Sequence, residues 1–172
     1  TAFIDQAGDQ PFLLYLAHTF PHIPLYASEQ FAGKSAAGAY GDVVEEIDWS
    51  AGEIVSALKR NDLLENTLII FTSDNGPFFE GSTSGLKGGK GNSWEGGYRV
   101  PFLASWPAKI SEGITIDSIT SNIDILPTIA DISGLQPEAE IIDGTSLLPI
   151  FDGGSRQKNR YLYFFNNEDV VG

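Results

Sequence analysis

A chain of 172 residues, 42% hydrophobic and 19% charged, is long and apolar enough to build a globular core, and its composition is that of a globular rather than a disordered chain. Ten basic against 23 acidic residues give a net charge of −13, which argues against nucleic acid as a partner, because phosphate backbones need a basic surface. No apolar run approaches the roughly 18 residues of a membrane span, and without a cysteine there is neither a disulfide framework nor a thiol nucleophile.

In chain order, the first apolar run is Pro11-Phe12-Leu13-Leu14-Tyr15-Leu16-Ala17, which suits a strand covered on both faces. It leads into His18-Thr19-Phe20-Pro21-His22-Ile23-Pro24, where the prolines impose an extended path on a segment holding both histidines of the chain. Residues 28–40 are small and polar and read as a loop or weak helix. Val43, Ile47, Ile54, Val55 and Leu58 then recur at helical spacing, with Asp42, Glu45, Glu46, Asp48 and Glu53 on a solvated face. That pattern predicts an amphipathic helix from Gly41 to Arg60, its basic end matching the helix dipole.

A buried strand follows at Leu68–Phe71 and another at Val100–Trp106. Residues 114–120 alternate as a short exposed strand does. Ser121 or Asn122 caps a predicted helix ending near Ser133, with Gly134 as its stop. Asp143–Pro149 reads as a turn into a short helix, and Arg160–Phe165 as a last strand. Strands alternating with helices indicate an α/β fold with a mostly parallel sheet flanked by helices, and no internal domain boundary is read in residues 1–172.

From the end of the first central strand through the second runs Ser73–Pro107, whose connecting part, residues 73–99, is long and rich in Gly, Ser and Lys, and such connections are uncommon in compact domains unless they serve a function. It opens on Asp74-Asn75, two hard oxygen donors suited to calcium or magnesium, at the carboxyl end of a strand where α/β sheets place ligands. Asp-Asn-Gly is equally a common turn sequence. Gly85-Leu86-Lys87-Gly88-Gly89-Lys90-Gly91 lets backbone and ammonium groups approach an anion, although it lacks nucleotide P-loop spacing and also suits a plain surface loop. His22 could meet an anion or act as an acid. Taken together, a divalent-metal pair, loop lysines and a histidine suit an anionic tetrahedral ester.

The segments PFLLYLAHTFPHIP, YGDVVEEIDWSAGEIVSALKRNDLLENTLIIFTSDNGP, GLKGGKGNSWEGGYRVPFLASWP and SNIDILPTIADISG, followed by Asp143-Gly144-Thr145-Ser146-Leu147, resemble type I sulfatases. These form the arylsulfatase group of the alkaline phosphatase superfamily. The resemblance implies an alkaline-phosphatase-like fold and hydrolysis of a small-molecule or glycan sulfate ester. It implies calcium ligation by Asp74 and Asn75, sulfate binding and leaving-group assistance by Lys90, and sulfate contact with protonation of the departing alcohol by His22. His18 and Lys87 match no catalytic position, and Glu95 and Arg99 are expected to fix the loop by pairing. The family's nucleophile is a formylglycine hydrate made from a Cys or Ser in a Cys/Ser-x-Pro-x-Arg motif, and an N-terminal Asp-Asp pair completes its calcium site. Neither motif occurs here, and the chain has no methionine. The sequence is therefore expected to be the middle and later part of a sulfatase catalytic domain, without turnover on its own. The resemblance also implies a periplasmic, extracellular or lysosomal location. Two alternatives stay open: a phosphate or phosphonate ester hydrolase of the same superfamily, and a non-catalytic domain that binds sulfated glycans.

Overall fold

A computed structural model describes residues 1–136, 142–151, 160–166 and 169–170. The chain forms two compact units. The first comprises Thr1–Thr67 with Phe79–Gly81, and the second Leu68–Phe78 with Ser82–Gly172.

The first unit is built on α2, Gly38–Arg60, three residues longer at its start than the apolar spacing predicts. Its buried side chains are Val43, Ala57 and Leu58, and α1, Ala2–Ala7, which lies against it, buries Ile4. The two helices are tied at their ends by Asn61, whose amide donates to Asp5 Oδ1 at 2.8 Å and to the carbonyl of Ala57 at 2.9 Å. One acid departs from the solvated face expected of it. Asp42 is buried, and its carboxylate accepts the backbone N–H groups of Gly33 at 2.7 Å, Lys34 at 3.0 Å and Ser35 at 2.7 Å. Those three amides sit in an irregular turn with no ladder to join, so a side chain from the helix satisfies them. The same bonds, led by that of Ser35, hold the Asp42 carboxyl below its ordinary range despite the opposing effect of burial.

The expected strand at 11–17 is an extended segment without a ladder partner among the described residues. Its side chains lie open, Leu13 at 66% and Tyr15 at 88% exposure. An apolar run specifies a buried strand only when neighbouring strands are there to bury it.

In the second unit, β1 (Ile69–Thr72) pairs with β2 (Phe102–Ser105) in antiparallel register, Ile69 opposite Ser105 and Thr72 opposite Phe102. This two-stranded ladder, rather than a parallel one, carries the long loop, so residues 73–101 leave and return at the same end of the sheet. Residues 114–120 form no strand, and of 160–165 only Phe165 is in one, within β3 (Phe165–Asn166), which pairs with β4 (Asp169–Val170). Helix α3 spans Glu95–Tyr98 inside the loop. The helix read from Ser121 onward begins with a single tight turn at Asn122–Asp124 and continues as α4, Ile125–Ser133, closed by Gly134 in left-handed conformation. A capping box joins Ser121 and Asp124 at its start. Helix α5, Leu148–Phe151, contributes Ile150 and Phe151 to a core with Leu147, packed against Leu68, Phe102, Ala104 and Ile110.

Asp124 is completely buried and anchors three segments of this unit. Besides capping its own helix start, it accepts the Thr145 amide at 2.9 Å and both guanidinium nitrogens of Arg160, at 2.5 and 2.7 Å. Thr128 Oγ1 extends the same junction by accepting the amide of Leu147 at 2.8 Å.

Candidate functional site

The loop between β1 and β2 is folded on itself by backbone hydrogen bonds. Gly76 N–H donates to the Gly97 carbonyl, Lys90 N–H to the Pro77 carbonyl and Gly96 N–H to the Lys87 carbonyl, each at 2.8 Å. The turn after β1, the glycine–lysine run and α3 are thereby one compact piece. Two glycines make that possible. A Cβ on Gly76 would lie 1.9 Å from the Gly96 oxygen, and one on Gly97 would lie 2.2 Å from the Asn92 oxygen. Any side chain at either position would force the strands of the loop apart.

At the opening of this loop, Asp74 is exposed and Asn75 half-buried. Ser73 Oγ donates to the Asn75 carbonyl at 3.1 Å and, more distantly, to Asp74 Oδ1 at 3.4 Å. Asn75 Nδ2 donates to Asp74 Oδ2 at 2.6 Å. With that bond made, the Asn75 amide oxygen and the remaining carboxylate lone pairs are hard donors of the kind a calcium ion takes. The fit is partial. Calcium takes six to eight oxygens, and among the described residues no cluster of three or more His, Asp or Glu surrounds a metal-sized centre.

At the other end, the two lysines divide. Lys87 Nζ lies 3.4 Å from the centroid of the Trp94 ring, a cation–π contact that commits it to the loop's own structure. Lys90 is half-buried, its amide pinned by Pro77, and its ammonium forms no ion pair with the described residues. Asp74, Asn75 and Lys90 are thus brought into one backbone-bonded piece. Glu95 and Arg99 pair as expected, at 3.4 Å, but both are about two-thirds exposed. Such a pair contributes little, so the loop's shape rests on the backbone bonds.

His22 belongs to the first unit and is exposed. Its Nδ1 lies 2.7 Å from the Ile23 carbonyl. A carbonyl can only accept, so Nδ1 carries the hydrogen, leaving Nε2 as the nitrogen available to a ligand. His18 Nε2 meets Ser50 Oγ at 3.3 Å, in keeping with a local structural part.

One residue of this site gave no signal in the sequence beyond helix capping. Asn122 Nδ2 donates to the Ser73 carbonyl at 2.8 Å, while its Oδ1 accepts a longer bond from Thr72 Oγ1 at 3.4 Å.

Comparison with known proteins gives one family. The family described as Sulfatase matches residues 1–135. Human steryl-sulfatase is 45% identical over 177 aligned residues, covering 96% of this chain and 30% of the relative. The PsFucS1 sulfatase from Pseudoalteromonas sp. superposes with a TM-score of 0.89 at 35% identity, over 98% of this chain and 36% of that one. A phosphonate monoester hydrolase of Agrobacterium radiobacter is more distant, with a TM-score of 0.58 at 34% identity over 71% of this chain and 24% of that one. The chain therefore spans about a third of the length of the sulfatases it matches.

Proposed function

The chain belongs to the sulfatase family, and on that premise we propose that its residues form the metal-and-anion part of the catalytic site of a sulfuric ester hydrolase. The observation that carries this reading is the bond from Lys90 N–H to the Pro77 carbonyl. It fastens the anion-binding lysine to the turn that bears Asp74 and Asn75, so positive charge and metal ligands are presented by one rigid loop. The alkaline-phosphatase-like parallel sheet of the complete domain, and an exported location, belong to this proposal. Among the described residues, no helix is long and apolar enough to cross a membrane.

Calcium held by Asp74 and Asn75, with further oxygen ligands, would supply a Lewis-acidic positive charge against sulfate oxygens. The chain's own residues contribute the rest by stated atoms. Lys90 Nζ donates to a sulfate oxygen and offsets charge that grows as the sulfur–oxygen bond to the alcohol breaks. His22 in its imidazolium form, with Nδ1 bonded to the Ile23 carbonyl, can give the proton on Nε2 to a departing alkoxide oxygen. The attacking group is not supplied by these residues, since the chain has no cysteine and no Ser-x-Pro-x-Arg sequence.

A second reading, phosphonate or phosphate ester hydrolysis, is supported only by the more distant structural likeness. Side-by-side rates on 4-nitrophenyl sulfate and 4-nitrophenyl phosphate separate the two for the full-length protein. The proposal expects the larger kcat/KM on the sulfate ester; a clear preference for the phosphate ester would replace it with the second reading.

A further inference from the structure

We propose that Asn122 is a positioning residue for the Asp74–Asn75 metal ligands, acting through Ser73; this rests on the metal-site reading above. The peptide group that begins at the Ser73 carbonyl ends at the Asp74 nitrogen, so whatever fixes that carbonyl fixes the direction in which Asp74 leaves the strand. Among the described residues the shortest side-chain bond to that carbonyl comes from Asn122, at 2.8 Å across 49 positions of sequence, while the neighbouring Thr72 Oγ1 reaches it only at 3.4 Å. Ser73 passes the restraint on, because its hydroxyl donates to the Asn75 carbonyl at 3.1 Å. Asn122 thereby governs the backbone on both sides of the ligand pair without approaching a ligand itself.

Asn122 is itself held firmly. It opens the tight turn that precedes α4, between the capping residues Ser121 and Asp124. Asp124 is completely buried and is clasped by Arg160 and the Thr145 amide. The end of β1 is therefore tied to the turn anchored by buried Asp124, an arrangement in which an outer partner orients the inner ligands. The bond to Thr72 Oγ1, 3.4 Å, is too long to add much.

The test is calcium binding by the full-length protein, followed by titration calorimetry, together with its thermal unfolding. Asn122→Asp is the informative variant, since it keeps size and turn preference but can no longer donate to the Ser73 carbonyl. Electrostatics alone would make an added carboxylate strengthen cation binding. Positioning predicts the opposite sign, a loss of about 10- to 100-fold in calcium affinity, as is usual for outer-sphere partners. Asn122→Ala should lose affinity similarly, and Asp74→Ala should abolish binding. Wild-type or tighter calcium binding by folded Asn122→Asp, with Asp74→Ala inactive in binding, would overturn the positioning role alone. Undiminished calcium binding by Asp74→Ala would remove the metal-site reading and this inference with it.

Discussion

Lys90 and Asp42 are both charged residues on backbone-rich turns, yet the structure gives them opposite tasks. Lys90 has its amide bonded and its ammonium in no ion pair with the described residues, and the proposed function gives that ammonium to a sulfate oxygen. Lys90→Ala in the full-length protein should lower kcat/KM on an aryl sulfate by about 10²–10³-fold, the range for removing one charge-stabilising donor, with thermal stability unchanged. Asp42 instead spends its whole carboxylate on three backbone amides. Its pKa is depressed in the fold, so its stabilisation is complete above the ordinary carboxylate value, roughly pH 4, and is lost as pH falls through the lower folded value. Unfolding curves from pH 7 to pH 3 should find Asp42→Asn less stable than wild type at neutral pH, with the gap closing below about pH 4. A gap independent of pH would mean that the carboxylate's charge contributes nothing. Asp74, Asn75 and Lys90 were legible in the sequence because each sits in a local motif. Asn122, Asp124 and Arg160 were not, because their roles come from partners 36 to 50 positions away.

Among the elements, the loop between β1 and β2 is where sequence and structure agree on importance and differ on character. Its glycines were read as letting backbone approach an anion, whereas Gly76, Gly96 and Gly97 are places where backbone packs on backbone. Gly76→Ala must push its Cβ into the Gly96 oxygen and should cost about 3 kcal/mol or more. Gly85→Ala is a useful contrast: it has a positive φ but open space around it, so only the left-handed backbone penalty of about 1–2 kcal/mol applies. Urea unfolding of both variants checks the order; equal costs would mean that the loop is not the tightly bonded piece described. Helices α2 and α4 were legible almost to the residue, because helical periodicity and caps are local. The run at 11–17 was read as a strand from its apolar side chains, but a strand is completed by its neighbours, which the pattern of one segment does not reveal. A related junction lies at α4. Removing Arg160 takes the cation from the buried Asp124 carboxylate and leaves it only neutral amide donors such as Ser121 and Thr145, so Arg160→Ala should cost about 3 kcal/mol or more in the same unfolding measurement.

For the molecule as a whole, the family and the α/β alternation followed from motifs spread along nearly all of the chain, and the superposition on a sulfatase at a TM-score of 0.89 agrees with them. The antiparallel pairing of β1 with β2 did not follow, since alternating strands and helices favour parallel ladders. Pairing Thr72 with Phe102 brings both ends of the loop together, so the proposed metal ligands Asp74 and Asn75 and the proposed anion-binding Lys90 are carried on a single excursion from the sheet. We propose that this excursion holds a cation at Asp74–Asn75 for the hydrolysis of a sulfate ester. The most direct measurement is the calcium dependence of 4-nitrophenyl sulfate hydrolysis by the full-length protein and its Asp74→Ala variant. The wild type should lose turnover on chelation and recover it with added calcium, while the variant stays inactive at every calcium concentration. Hydrolysis by Asp74→Ala at the wild-type rate, or wild-type turnover indifferent to chelation, would contradict the account.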